Sequence, residues 1–199
     1  MKIDHAQFFN KYRANLEDHL SQPQVEGLEA ILAYWEASTL NDSRWLAYAL
    51  ATAYHETGRH MQPVREGFCD TDQCSINAVT HLYNQKRIKR NYALPHPNGQ
   101  SYFGRGLVQI THGNNYEMLG KAIGLGMQLY DKPSLALNLE ISVKIMFVGM
   151  VQGIFTGKKL ADYFNNSTTA WVPARRIING TDKADLIAEY AKKFYKCLS

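Results

Sequence analysis

Two glutamates close together in the chain could cleave a glycosidic bond. Glu56 stands in the segment "AYHETGRHMQPVREGF" (residues 53–68), and Glu66 follows ten positions later. Such cleavage needs one protonated carboxyl group at the leaving oxygen and one ionised carboxylate that activates water. The aromatic-rich segment before Glu56 favours the protonated form of its side chain, while Arg65 favours an ionised Glu66. The connection contains a turn, so it can set the two groups ~6.5–9.5 Å apart, the separation found in inverting glycosidases.

Other kinds of functional site fit these residues less well. From their spacing alone, the two glutamates could also be solvated surface residues without a catalytic role. A zinc protease motif needs two histidines four positions apart on one helical face, but His55 and His60 are five apart with Gly58 between them. The glycines of 104–106 lack the third glycine of a dinucleotide-binding loop. Cys197 has no catalytic histidine nearby in the sequence. We therefore expect no metal and no cofactor.

A helix is predicted to position Glu56. Trp45, Ala49 and Ala53 share its apolar face, and Asp42 or Ser43 is a suitable N-cap. Gly58 and Pro63 end the helix shortly after Glu56, which places the carboxyl group in the last turn.

The rest of the chain is also mainly helical by its periodicity. One apolar stripe is formed by Phe8, Phe9, Tyr12, Leu16 and Leu20, and a second by Val25, Leu28, Ile31, Leu32 and Trp35. Further helices are predicted near 75–84, from Tyr116 onwards, and near 138–155, 158–165 and 182–198. The sequence thus predicts a mainly α, single catalytic domain over residues 1–199, with a loop-lined cleft and no separate wall-binding module.

Charge and hydropathy limit the kinds of partner that the protein is expected to bind. The net charge of +4 and pI near 8.9 favour anionic partners. The basic cluster at 85–92 is more typical of a solvated surface than of a nucleic-acid site, so we expect no nucleic-acid partner. The most apolar window, 141–155, contains Lys144 and is too short to span a bilayer, which argues against membrane insertion. The first 20 residues lack an apolar signal core, so we expect synthesis in the cytoplasm.

The three cysteines do not form the framework of a disulfide-rich secreted protein. Cys69 and Cys74 are close enough in sequence to pair, but we expect both to be reduced. We also expect a monomer.

Three separated segments resemble the family-19 glycoside hydrolases, which comprise plant-type chitinases and their bacterial and phage relatives. They are "HETG" (55–58), "YFGRGLVQITHGNNY" (102–116) and "RIINGT" (176–181). The resemblance runs from about residue 45 to the C-terminal helix. It implies a lysozyme-like fold of the family-19 chitinase type and inverting hydrolysis of β-1,4 bonds between amino sugars.

The resemblance also implies roles for individual residues. Glu56 corresponds to the general acid, Glu66 to the general base, and Thr111 to the residue that holds the attacking water. Asp70 and Asp72 are alternative bases. The remaining candidates for contacts with substrate are His55, Tyr102, Arg105, Gln109, Asn115, Tyr116 and Asn179. Among them, Arg105 is better suited to bracing the loop or an acid. His55 is equally suited to a structural role. Phe103 is an alternative to Tyr102 as a stacking face.

Two departures from the plant chitinases favour a substrate other than chitin. The arginine that follows the late asparagine loop in those enzymes is missing, and Lys183 is the nearest cation. Their long disulfide-bearing loops are also missing. The leading hypothesis is an endolysin that cleaves the glycan strands of peptidoglycan in the periplasm after holin-type release. The alternatives are a chitinase, a muramidase secreted as a toxin, and a saccharide-binding protein without activity.

Overall fold

The computed structural model describes residues 2–199 and divides them into two compact units. The terminal unit comprises residues 2–62 and 149–199, and the central unit comprises residues 63–148. The predicted mainly α architecture is confirmed. Within residues 2–199, every helix is too short or too polar to cross a membrane.

The elements follow one another as a series of helices with one short strand pair. The helices are α1 (His5–Asn15), α2 (Gln22–Ala37), α3 (Ser43–Glu56), α4 (Asp72–Asn84), α5 (Gly113–Ala122), α6 (Gln128–Asp131), α7 (Leu139–Gln152), α8 (Leu160–Tyr163) and α9 (Ala184–Leu198). The strands are β1 (Val64–Arg65) and β2 (Arg105–Gly106). Turns of 3-10 helix are formed by Glu66–Phe68, Pro133–Leu137 and Pro173–Ile177.

Helix α3 is the buried centre of the terminal unit. All its residues from Leu46 to Tyr54 are buried. Asp42 caps its first turn by accepting a hydrogen bond from a backbone N–H, as predicted. Helix α9 packs along it, and the ring of Tyr54 lies 4.9 Å from that of Tyr190 and 5.7 Å from that of Phe194. The last turn of α3 therefore extends from a rigid core.

The chain turns away immediately after Glu56. The Thr57 hydroxyl donates to the carbonyl of Ala53 at 2.7 Å and accepts the N–H of Met61 at 3.0 Å. Gly58 follows with a φ of +57°, a conformation that glycine adopts without strain. These contacts fix the position of Glu56 at the end of the helix.

Helix α2 approaches this turn closely. Ser21 caps the helix, and its hydroxyl and Gln24 form a reciprocal capping box. A Cβ atom at Gly27 would lie 1.8 Å from the carbonyl oxygen of Met61, so only glycine allows this approach. The packing of α2 thus depends on a residue without a side chain.

The central unit is built around the antiparallel pair of β1 and β2, with Val64 opposite Gly106 and Arg65 opposite Arg105. A small apolar cluster supports it. This cluster consists of Val79, Ala93 and Phe103, with Ile76, Ile88 and Tyr92 packed against them.

The expectation of two reduced cysteines in the central unit is wrong, because Cys69 and Cys74 form a disulfide. The 3-10 turn after Glu66 and the first turn of α4 bring their Cα atoms to 5.6 Å, a separation that a disulfide spans.

Candidate active site

Glu56 is half-buried and forms an ion pair inside the terminal unit. The guanidinium of Arg175 donates to Oε1 of Glu56 at 2.7 Å. Arg175 is only 3% exposed, and its Nε also donates to the carbonyl of Asp182 at 3.0 Å. A buried cation that precedes Asn179 in the chain therefore pairs with Glu56.

Arg175 was missed by the sequence reasoning. It lies in the 3-10 turn Pro173–Ile177, within a segment predicted to be a loop. The neighbouring Arg176 is exposed, so residue type alone does not identify the arginine that turns inward. The sequence signal that remains is the Pro173 that starts the turn.

His55 and Asn179 lie near the same ion pair. Burial lowers the pKa of the His55 imidazole, the carboxylate of Glu56 opposes this shift, and the charge of Arg175 adds to it. The backbone N–H of Asn179 donates to the carbonyl of Arg175 at 3.0 Å. The Asn179 side chain is exposed, and its Oδ1 accepts the N–H of Gly180. The structure thus groups three predicted residues around one arginine.

Both oxygens of the Glu66 carboxylate accept hydrogen bonds in the central unit. The Tyr92 hydroxyl donates to Oε1, and the backbone N–H of Gly104 donates to Oε2 at 2.7 Å. The backbone of Glu66 is also fixed, because its N–H donates to the carbonyl of Gly104 at 2.7 Å and its carbonyl accepts from Ser75 at 2.9 Å. A carboxylate has about four acceptor positions, so lone pairs remain for a water molecule.

Gln109 acts as a brace beside Glu66. Its amide nitrogen donates to the carbonyls of Val64 at 2.8 Å and Gly106 at 3.1 Å. A Cβ atom at Gly104 would lie 2.7 Å from Oε1 of Gln109 and 3.2 Å from Oε2 of Glu66. Glycine at position 104 therefore lets the backbone approach both side chains.

Arg105 is buried and binds an acid, as its alternative assignment predicted. Its guanidinium donates to Asp72 at 2.9 Å and lies over the ring of Phe103, 3.6 Å from the ring centroid. Arg65 donates to the other oxygen of Asp72 at 2.6 Å. Partial burial would raise the pKa of Asp72, but the hydrogen bonds from Arg65 and Arg105 outweigh it and hold that pKa below its usual value. Asp72 is thus the partner of two arginines and is less available as a base.

Tyr102 and Tyr116 are both fully buried. The Tyr116 hydroxyl donates to the carbonyl of Phe103 at 2.9 Å, and that of Tyr102 donates to the carbonyl of Tyr130 at 2.9 Å. Their predicted contact with substrate is not supported, because neither ring reaches the surface; the same burial removes Phe103 as a stacking face. These aromatic side chains therefore form part of the core that supports residues 102–116.

Thr111 lies in the turn that leads into α5. Its side chain is partly exposed, and in the part of the chain that the structure describes its hydroxyl forms no hydrogen bond. The Asn115 amide donates to the carbonyl of Thr111 at 2.9 Å, and the N–H of His112 donates to the carbonyl of Tyr102 at 2.9 Å. The turn is therefore fixed by its backbone, while the hydroxyl stays free to bind water.

The two candidate carboxyl groups are held separately, and the described residues contain no cluster suited to a metal ion. Among residues 2–199, no three His, Cys, Asp or Glu side chains are grouped to hold a metal ion. Glu56 belongs to the terminal unit and Glu66 to the central unit, and each carboxyl group has its own set of hydrogen-bond donors.

Comparison with known sequences identifies the family. The family model described as "Chitinase class I", glycoside hydrolase family 19, matches residues 33–154, more than half of the chain. The acidic 26 kDa endochitinase of Solanum lycopersicum and the acidic endochitinase pcht28 of Solanum chilense are each 50% identical over 34 residues. That match covers 17% of this chain and 13% of each relative.

Solved structures show the same fold. Chitinase C from Streptomyces griseus HUT6037 superposes with a TM-score of 0.60 and 20% identity, over 98% of this chain and 76% of the other. A bacterial family 19 chitinase superposes with a TM-score of 0.53 and 19% identity, over 99% of this chain and 95% of the other. The predicted lysozyme-like fold of the family-19 type is thus confirmed. The chain belongs to family 19 of the glycoside hydrolases, the class I chitinase family.

Proposed function

We propose that this glycoside hydrolase cleaves β-1,4 bonds in the glycan strands of bacterial peptidoglycan, as an endolysin that reaches the periplasmic wall after its release from the cytoplasm. The net charge of +4 supports an anionic polymer as substrate, since opposite charge raises the rate of encounter. Peptidoglycan is such a polymer, whereas chitin is neutral.

In this mechanism Glu56 protonates the leaving oxygen, and Glu66 takes a proton from a water molecule held by the Thr111 hydroxyl. Attack by this water on the opposite face of the sugar inverts the anomeric carbon. Arg175 donates to Oε1 of Glu56, so Oε2 is the oxygen that is available to deliver a proton to the leaving group. Asn115 and the exposed Asn179 are our candidates for hydrogen bonds to sugar, and Gln109 and Arg105 position the segment around Glu66.

The observation that carries this mechanism is the fixed carboxylate of Glu66. Tyr92 and Gly104 each donate to one of its oxygens. A base that is held on both sides loses little freedom when it binds the nucleophilic water. Its proximity in sequence to a second, half-buried glutamate supports the division into acid and base.

The test is hydrolysis of purified peptidoglycan beside colloidal chitin, followed by mass spectrometry of the released fragments. We expect clearing of peptidoglycan and fragments with a free reducing end at one of the two amino sugars, which also identifies the bond. Clearing of chitin alone would contradict the peptidoglycan proposal and leave the hydrolase mechanism in place. Binding to the wall without any released fragment would favour a saccharide-binding protein.

A chitinase is the second candidate. The observation that favours it is the family match itself, together with the names of the two Solanum relatives, both endochitinases. The same pair of substrates distinguishes the two candidates.

A further inference from the structure

A large cavity in the central unit lies beside the Glu66 network. Its volume is about 710 Å³, within the ~300–1,000 Å³ typical of ligand sites. It is lined by Thr80, Tyr83, Asn84, Lys89, Arg90, Asn91, Tyr92, Leu94, Pro95, His96, Pro97, His112, Gly113 and Asn114. None of these side chains was assigned a role from the sequence.

The lining of the cavity carries positive charge, and the acid beside it is Glu66, which Tyr92 binds from the cavity wall. Lys89 and Arg90 line it, and its lining contains no aspartate or glutamate. Within residues 2–199, neither cation forms an ion pair or a hydrogen bond. The pKa of His112 is lowered by partial burial and then by the charge of Arg90. The free positive charge would therefore attract an anionic group that enters the cavity.

The segment that presents the two cations is anchored immediately after them. The Asn91 amide donates to the Thr80 hydroxyl of α4 at 3.0 Å, and its Oδ1 accepts the N–H of Ala93 at 3.2 Å. Ala93 is fully buried. These contacts fix the backbone beside Lys89 and Arg90, so the charges are held near one place before a ligand arrives.

The cavity also adjoins the residues proposed to activate water. Tyr92 lines it and donates to Glu66. His112 lines it, follows Thr111 directly, and has its ring centroid 5.1 Å from that of Tyr92. A group bound in the cavity would thus lie close to Glu66.

We propose that this cavity binds the carboxylates of the peptide stem that peptidoglycan carries on alternate sugars. The inference rests on the proposed function and extends it, since it assigns the residues that distinguish peptidoglycan from chitin. The carboxylates pair with Lys89 and Arg90. The amides of Asn84 and Asn114 are available to the peptide backbone, and the exposed apolar side chain of Leu94 contacts its methyl groups. Chitin has neither carboxylate nor peptide and leaves the cavity unused.

The test compares two charge-matched double variants. Lys89→Gln/Arg90→Gln removes both cations of the cavity, and Lys192→Gln/Lys193→Gln removes two exposed cations of α9. Each is assayed on teichoic-acid-free sacculi, on the same sacculi after an amidase has removed the peptides, and on chitin oligosaccharides. Sacculi without teichoic acid exclude polymer phosphate as the anion that is bound.

We expect the cavity variant to lose about tenfold in kcat/KM on intact sacculi, mostly through KM, as is typical when charged groups leave a binding site. Its rate on chitin oligosaccharides should match that of the unaltered protein, and its loss on peptide-free glycan should be smaller than on intact sacculi, because only the lactyl carboxylate remains on that glycan. The α9 variant should lose much less on intact sacculi. An equal loss on peptide-free glycan, or no loss on intact sacculi, would overturn the cavity as a stem site and leave the proposed function intact.

A binding measurement separates failure of this inference from failure of the proposed function. If the unaltered protein does not cleave peptidoglycan, the proposed function fails. Titration with a soluble disaccharide–peptide fragment still tests the cavity, because it needs no turnover. Weaker binding by the cavity variant than by the α9 variant supports the stem site, and equal binding by both overturns it.

Discussion

Glu56 and Glu66 are held by different kinds of donor. Glu56 is paired with the buried guanidinium of Arg175, whereas Glu66 receives hydrogen bonds from the neutral Tyr92 hydroxyl and a backbone N–H. Two carboxyl groups in different environments can take different roles in one reaction. The substitutions that separate these roles keep the shape of each side chain and remove its ability to exchange a proton.

Glu56→Gln should lower kcat by more than about 100-fold, the contribution expected of a general acid. The glutamine oxygen can still accept from Arg175, so the loss should come from chemistry more than from unfolding. The measurement is turnover on whichever glycan the protein cleaves, with the unfolding midpoint recorded in parallel. Glu189→Gln, at an exposed position of α9, is the matched control. Turnover within a few-fold of the unaltered protein would remove Glu56 from the mechanism.

Glu66→Gln should be nearly as severe, because the amide cannot take a proton from water. Asp72 is bound by two arginines, which leaves the exposed Asp70 as the alternative base in this segment. Asp70→Asn is therefore the informative comparison and should retain activity. Steady-state kinetics on both variants decide the assignment. If Asp70→Asn is inactive while Glu66→Gln works, the base is Asp70.

At the scale of elements, the apolar periodicity of the sequence predicted the long helices. It did not predict structure that depends on contacts between residues distant in sequence. The apolar pattern predicted α2 and α9, each of which buries one face, and α3, which is buried on all sides from Leu46 to Tyr54. Helix α1 ends at Asn15, before the predicted Leu16 and Leu20, and Leu16 is its C-cap residue. The pair of β1 and β2 has two residues in each strand, too few for an alternating pattern to be visible.

The candidate site also combines residues that the sequence suggested with contacts that only the structure reveals. Glu56 and Glu66 were chosen as candidates from their type and neighbours, and the resemblance to family 19 drew attention to the segment around Thr111. The ion pair with Arg175 joins residues 119 positions apart, which no local pattern reveals. Tyr102 was assigned to substrate because aromatic residues serve both cores and sugar-binding surfaces. Only the exposure of the ring in the folded chain separates these two roles.

Gly27→Ala should destabilise the terminal unit, although alanine favours helices over glycine by about 1 kcal/mol. The new Cβ atom would lie 1.8 Å from the Met61 carbonyl oxygen, a backbone atom that cannot rotate away. We expect a loss of about 1–3 kcal/mol in the free energy of unfolding, the range for overpacked cores. Urea denaturation measures it, and Glu26→Ala at the preceding exposed position should change stability by less than about 0.5 kcal/mol. An unchanged stability in Gly27→Ala would show that α2 does not pack on this turn.

At the scale of the whole molecule, two histidines whose pKa is lowered by partial desolvation should make stability depend on pH. Burial lowers the pKa of both His55 and His112, so the unfolded chain binds protons more readily near the usual value of about 6.5. Their contribution is complete above that value and is lost as the pH falls through the lowered pKa. The free energy of unfolding should therefore decrease from pH 7 to pH 5. His55→Gln should flatten this decrease, while the same change at the exposed His19 should not. Parallel pH profiles for all three proteins would contradict a buried neutral His55.

The net charge of +4 makes a further prediction that concerns the substrate. Long-range attraction between a basic protein and an anionic polymer weakens as the screening length shortens from about 10 Å at 0.1 M salt to about 3 Å at 1 M. Hydrolysis of intact sacculi should thus slow steeply over this range, mainly in kcat/KM, because steering acts on encounter and not on the bond that breaks. Chitin oligosaccharides are uncharged, and their hydrolysis by the same protein provides the control for any effect of salt on folding. Initial rates on both substrates at four or more salt concentrations give the two slopes. Equal slopes would mean that charge does not recruit this enzyme to peptidoglycan, and the proposed preference for that polymer over chitin would then need a source other than electrostatic attraction.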